Sequence, residues 1–178
     1  MPYTYVYLAG LNDSGPEHWQ RLWHETHGGQ WVDHANWTAP QAGDWLRELD
    51  EAVRPLHQPL VLVAHSLGAL LAAQWLANGG VAAAAYLVAP PDANDWTFPE
   101  TIKGFEKAAS LPLPCPSRVV ASRDDPYSFY KAAEAAALAW GSGLWDMGER
   151  GHINAESGLG DWQEGWEDLQ EFLKGLPA

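Results

Sequence analysis

One cysteine, Cys115, stands among 178 residues. No internal disulfide can form, and a lone thiol between Pro114 and Pro116 ahead of an expected strand reads as structural rather than catalytic. Positive charge is equally scarce. Ten Lys and Arg against 23 Asp and Glu leave a net charge of −13, and no basic run is present to neutralise a phosphate backbone, which argues against nucleic acid as a partner. No apolar run approaches the roughly 20 residues that span a bilayer, so membrane insertion is not expected. Met1 to Gly10 has neither a basic region nor a cleavage site, and with the single cysteine this points to the cytoplasm. A metal ligand framework is missing too. His18, His24, His27 and His34 are close in sequence, but no Cys or carboxylate pattern completes a set, so neither metal nor cofactor is expected.

What the chain has is apolar residues, at 47%, with 19% charged and eleven tryptophans. That is the composition of one globular unit over residues 1–178, its tryptophans packed in a core and around an apolar pocket. Strands and helices alternate along it. Residues 3–9 alternate large side chains with β-formers and read as a first strand. Ser14-Gly15-Pro16-Glu17 has the form of a capping box with Pro in the first turn, predicting a helix that starts there and carries His18, Trp19, Leu22 and Trp23. A short strand over 30–33, a helix over 42–53 and an apolar strand over 60–64 follow. Beyond them come a helix to Ala77, a strand over 81–89, and an irregular Pro-rich stretch with at most one short helix over 100–109. A strand over 118–121, a helix over 128–140, a strand over 144–147 and a closing helix over 161–173, begun by an Asp-x-x-Glu cap, complete the chain. The alternation predicts an α/β fold: a mostly parallel central sheet of about six strands with helices on both faces and no large cap.

The chain is organised around 61–72, where a buried strand runs into a turn and then a helix with Ser66 at the corner. A serine there lifts its Oγ above the carboxyl edge of a parallel sheet, beside backbone N–H groups that can stabilise an oxyanion. The usual corner is G-x-S-x-G, and here Ala64 replaces the first glycine. If Ser66 is a nucleophile it needs an imidazole to take its proton and a carboxylate to hold that imidazole. Both should follow in the order acid, histidine, each after a later strand. Asp124 and Asp125 follow the strand ending at Ala121, and His152 follows the strand ending at Met147, at intervals of about two and one βα units of about 30 residues. Asp125 is preferred over Asp124, because Asp-Pro opens the turn into the next helix. The Leu67 N–H is the first oxyanion donor and Leu11 the second, with Asn12 as the alternative. Trp96, Phe98 and Tyr127, with Asn12, are candidates to line an acyl pocket. His65 should point away from the corner and pack or make a local polar contact.

Ala64-His65-Ser66-Leu67-Gly68, Ser122-Arg123-Asp124-Asp125-Pro126, Gly151-His152-Ile153-Asn154 and 157–162 together resemble the small cap-less α/β-hydrolases of the retinoblastoma-binding serine hydrolase and YdeN group. The resemblance spans nearly the whole chain. It implies a compact hydrolase core without the two N-terminal strands of larger relatives, a triad of Ser66, Asp125 and His152, and activity on simple esters. The expected function is therefore cleavage of small or medium acyl esters through an acyl-enzyme. The alternatives are an amidase or peptidase using the same three residues, or a hydrolase scaffold that binds a protein partner of unknown identity.

Overall fold

The computed structural model describes residues 2–108 and 110–177. Six strands form one sheet: β1 (Thr4–Leu8), β2 (Gln30–Trp31), β3 (Leu60–His65), β4 (Ala84–Val88), β5 (Ser117–Ala121) and β6 (Gly143–Asp146). They lie in the order β2-β1-β3-β4-β5-β6, and every pair is parallel. Four helices lie between them, α1 (Trp19–His27), α2 (Ala42–Val53), α3 (Leu67–Ala77) and α4 (Tyr130–Trp140), and α5 (Gln163–Lys174) follows the last strand. No large cap stands over the sheet among the described residues.

The two-residue period of the strands divides the core in two. Leu62, Ala64, Leu87 and Val119 face α2, α3 and α4 in a mainly aliphatic layer. Val61, Val63, Tyr86 and Val88 face the other way, against Trp19, Trp23, Trp162, Leu169 and Leu173 of α1, α5 and the turn before α5. The central strands β3 and β4 are thus apolar throughout, as strands covered on both faces must be. Helix α3 is apolar on all sides but for Gln74, and Leu67 to Leu76 are all buried. That is the pattern of a helix enclosed by its neighbours.

Several element starts differ from the expectation, two of them because a serine hydroxyl is engaged elsewhere. Helix α1 begins at Trp19, not Ser14. The Ser14 hydroxyl donates to Gln20 Oε1 at 2.9 Å, and the cap is supplied by His18 Nδ1, which accepts the Gln20 N–H at 3.1 Å. Helix α4 begins at Tyr130 because the Ser128 hydroxyl donates to the Ala89 carbonyl at 2.6 Å. Helix α5 begins at Gln163 without the Asp161 cap, after Trp162 in a left-handed conformation with φ 43°. Strand β4 starts at Ala84, leaving Val81 exposed. In the Pro-rich stretch Gly104, at φ 88°, admits only a single 3-10 turn over Phe105–Lys107. The expected helix end at Ala109 lies outside the described residues.

Candidate active site

The end of β3 turns into α3 at Ser66, whose φ of 55° and ψ of −121° lie outside the regions open to ordinary side chains. The corner is held by the Ser66 N–H, which donates to the Val88 carbonyl at 2.9 Å. It closes tightly on β1. A Cβ at Gly68 would lie 2.1 Å from the Leu8 carbonyl oxygen and 2.8 Å from that of Ala9, so only glycine fits. Ala64, in the place of the usual first glycine, is fully buried within β3 opposite Leu8 and Leu87. Its methyl belongs to the aliphatic layer and leaves the corner undisturbed.

Three loops at the carboxyl edge of the sheet bring the sequence-expected residues together. His152 Nε2 stands 2.9 Å from Ser66 Oγ, and His152 Nδ1 stands 2.9 Å from both carboxylate oxygens of Asp125. An ionised carboxylate only accepts, so Nδ1 carries the proton and Nε2 faces the hydroxyl with a free lone pair. Asp125 is 4% exposed. Its Oδ1 also accepts the N–H groups of Tyr127 and Ser128, each at 2.9 Å, which fixes the carboxylate plane.

Asp124 has a different task. Its Oδ1 accepts the Gly151 N–H at 2.8 Å and the Ser122 hydroxyl at 2.9 Å, and these bonds hold its carboxyl below the usual range. Ser122 Oγ in turn accepts the Arg150 N–H at 2.9 Å, so the loop before His152 is tied to the loop that bears Asp125.

From the opposite side the same loop hangs on buried aromatic residues. His65 Nε2 donates to the His152 carbonyl at 2.9 Å, and Trp19 Nε1 donates to the Ile153 carbonyl at 2.8 Å. Ile153 itself has φ 51°. His65 therefore makes a satisfied polar contact behind the corner. Its ring centroid lies 4.8 Å from that of His152 and 4.7 Å from that of His18. Burial, then the neighbouring His18, pushes the His65 imidazole well below its ordinary value. Burial foremost, with His152 beside it, brings His18 down to about 3. Both rings are neutral.

An open cleft of about 470 Å³ lies over Ser66 and His152. Leu11, Asn12, His18, Tyr127, Asn154 and Glu156 are among its walls. The Asn12 N–H is engaged with the Trp37 carbonyl at 3.0 Å, whereas the Leu11 N–H has no backbone acceptor among the described residues. Leu11 follows Gly10, where a Cβ would lie 3.4 Å from the Leu67 nitrogen and 3.1 Å from Ser66 Cβ, so this segment runs directly past the corner. Two expected pocket residues lie elsewhere. Trp96 is 92% exposed and Phe98 packs, half-buried, against the aliphatic layer; neither lines the cleft. Among the described residues no group of three His, Cys, Asp or Glu is placed to hold a metal ion.

Sequence reasoning missed Gln20 in the first turn of α1. Gln20 sits fully buried between two buried tryptophans, and a polar residue flanked by aromatics that face the core was the available signal.

The model of the family described as serine hydrolase matches residues 5–171. The chain belongs to the serine hydrolase family. Among solved structures it is similar to a YdeN-like hydrolase from Pectobacterium atrosepticum, at 34% identity over 98% of this chain and 93% of that one, with a TM-score of 0.87. It is also similar to the ydeN gene product of B. subtilis, at 21% identity over 98% and 100% of the two chains, TM-score 0.75. Esterase 2 of Thermogutta terrifontis shares the fold at 17% identity, over 99% and 85% of the chains, TM-score 0.72. Comparison with curated proteins gives no significant match. Family and fold together make the protein an α/β-hydrolase.

Proposed function

We propose that this protein hydrolyses small or medium acyl esters through an acyl-enzyme on Ser66. The observation that carries the reading is the unbroken line from Ser66 Oγ to His152 Nε2 and from His152 Nδ1 to Asp125, with 2.9 Å at each step. Ser66 Oγ attacks the ester carbonyl carbon while His152 Nε2 takes the hydroxyl proton. Asp125 holds the ring and balances the imidazolium that forms. The negative oxygen accepts N–H groups from Leu67, at the unsatisfied first turn of α3, and from Leu11. Collapse expels the alcohol, which receives its proton from His152, and water repeats the two steps to release the acid. Leu11 is preferred to Asn12 as second donor because the Asn12 N–H is already bound to Trp37.

The open cleft of about 470 Å³ supports a small or medium acyl group rather than a long chain. The Tyr127 ring, edge-on to His152 at 5.1 Å, and Asn12 are proposed to flank it. No cofactor or metal enters this chemistry. No described helix is long and apolar enough to cross a membrane, and residence in the cytoplasm belongs to the same proposal. The test is turnover of p-nitrophenyl acetate by the wild type and Ser66→Ala. Loss of turnover in a folded Ser66→Ala protein is expected; turnover at the wild-type rate would overturn the assignment.

A further inference from the structure

Gln20 makes more hydrogen bonds to the strand ends around Ser66 than a helix side chain needs for burial alone. It is fully buried in the first turn of α1. Its Nε2 donates to the Leu8 carbonyl at 3.1 Å and to the Val63 carbonyl at 3.0 Å, and its Oε1 accepts the Ser14 hydroxyl at 2.9 Å. Two carbonyl acceptors leave one orientation for the amide, because only the NH2 group can donate to both.

The two carbonyls belong to the strands that present the two oxyanion donors. Leu8 ends β1, just before Gly10 and Leu11. Val63 lies in β3, just before Ser66 and Leu67. The Leu8 carbonyl oxygen is also the atom against which Gly68 packs, so its position sets how closely the first turn of α3, with the Leu67 N–H, approaches β1. Ser14 lies at the far end of the loop that begins at Gly10. Through Ser14 the same amide holds that loop, which also carries Asn12 and Asp13 in left-handed conformations with φ 64° each. One side chain thus joins both strand ends and the loop between them.

We infer that Gln20 is a positioning residue for the oxyanion hole, fixing the separation of the Leu11 and Leu67 N–H groups. The inference rests on the reading of Ser66 as the nucleophile. It touches neither substrate nor reacting atoms, and acts through the backbone of Leu8 and Val63.

The test compares wild type, Gln20→Leu and Ser14→Ala, with Ser66→Ala as reference. The readouts are kcat and KM for p-nitrophenyl acetate and the affinity of an aryl trifluoromethyl ketone. The ketone adds the Ser66 oxygen to its carbonyl carbon, passes the hydroxyl proton to His152 and leaves an oxyanion in the hole. Removing an oxyanion donor outright lowers kcat by about a hundredfold to a thousandfold. Gln20→Leu, which only misplaces donors, is expected to lower kcat by about tenfold or more, to leave KM within about threefold, and to weaken the ketone in proportion. Ser14→Ala leaves the amide on its two carbonyls but releases its hold on the loop, and is expected to give the same pattern at about threefold. A folded Gln20→Leu protein with kcat and ketone affinity near wild type overturns the inference, as does a fall in kcat with ketone affinity unchanged. If Gln20→Leu does not fold, Ser14→Ala decides, and wild-type behaviour overturns the inference. Turnover retained by Ser66→Ala would instead remove the reading beneath it.

Discussion

On the face covered by α2, α3 and α4 the core is mainly Leu, Ala and Val, with Trp45, Trp75, Trp140 and Phe105 among them, and α3 after Ser66 is packed there on all sides. On the face covered by α1 and α5 the core is largely aromatic, and three of its side chains direct hydrogen bonds at neighbouring segments. Trp19 donates to Ile153, Trp23 donates to the Asp161 carbonyl at 2.6 Å, and Tyr86 donates to Asp168 at 2.9 Å. Helix α3 behind the Ser66 corner is thus held chiefly by volume, and the His152 loop by directed hydrogen bonds. A loop has no ladder of its own, and packing alone does not fix its carbonyls; indole N–H groups supply both a wall and a tether. Stability should depend most on the first face and reaction geometry most on the second.

The largest expected effect comes from the aliphatic face. Leu71→Ala removes a fully buried side chain and should cost about 2–5 kcal/mol in urea unfolding, with kcat per folded molecule unchanged. A fall in kcat there would break the contrast. Trp19→Phe keeps an aromatic wall but strands the Ile153 carbonyl. It should cost about 1–3 kcal/mol and lower kcat by about tenfold, since small displacements of a reacting group are expensive. Unchanged kcat would show that the tether is only structural.

Acid should act through the aromatic face as well. His18 is held near 3, against 6.5 for the free side chain, chiefly by burial. Between those values the unfolded chain binds a proton that the folded one refuses, so stability falls as pH falls through that window. Such a group contributes a slope of at most about 1.4 kcal/mol per pH unit. Urea midpoints measured from pH 7 to 5 should decline, and His18→Asn, with a cap that does not titrate, should decline less steeply. The smallest effect is expected at Asp124, an exposed carboxylate. Asp124→Asn should change kcat by no more than about twofold, as contacts in solvent contribute little; a fall like that of Trp19→Phe would move the tether to the Asp124 side.

The apolar strands, the corner at Ser66 and the later Asp and His could be read from the chain because each rests on local signals: a continuous apolar run, a turn glycine, a strand followed by a loop. The tethers could not. Trp19 and Ile153 are 134 residues apart in sequence, and nothing local distinguishes an indole that only fills space from one that donates. Ser14 misled for the same reason, its hydroxyl being taken by Gln20 rather than by the helix start. Trp96 and Phe98 read as pocket residues by their aromatic character, but one is exposed and the other packs on the core away from the cleft.

The central claim is a nucleophilic Ser66 activated by His152. The most direct measurement is mass spectrometry of the protein after reaction with a fluorophosphonate probe, locating the adduct by peptide mapping. A single adduct on the peptide bearing Ser66, lost in His152→Ala, is the expected result. No adduct, or one on another serine such as Ser14, would contradict the account.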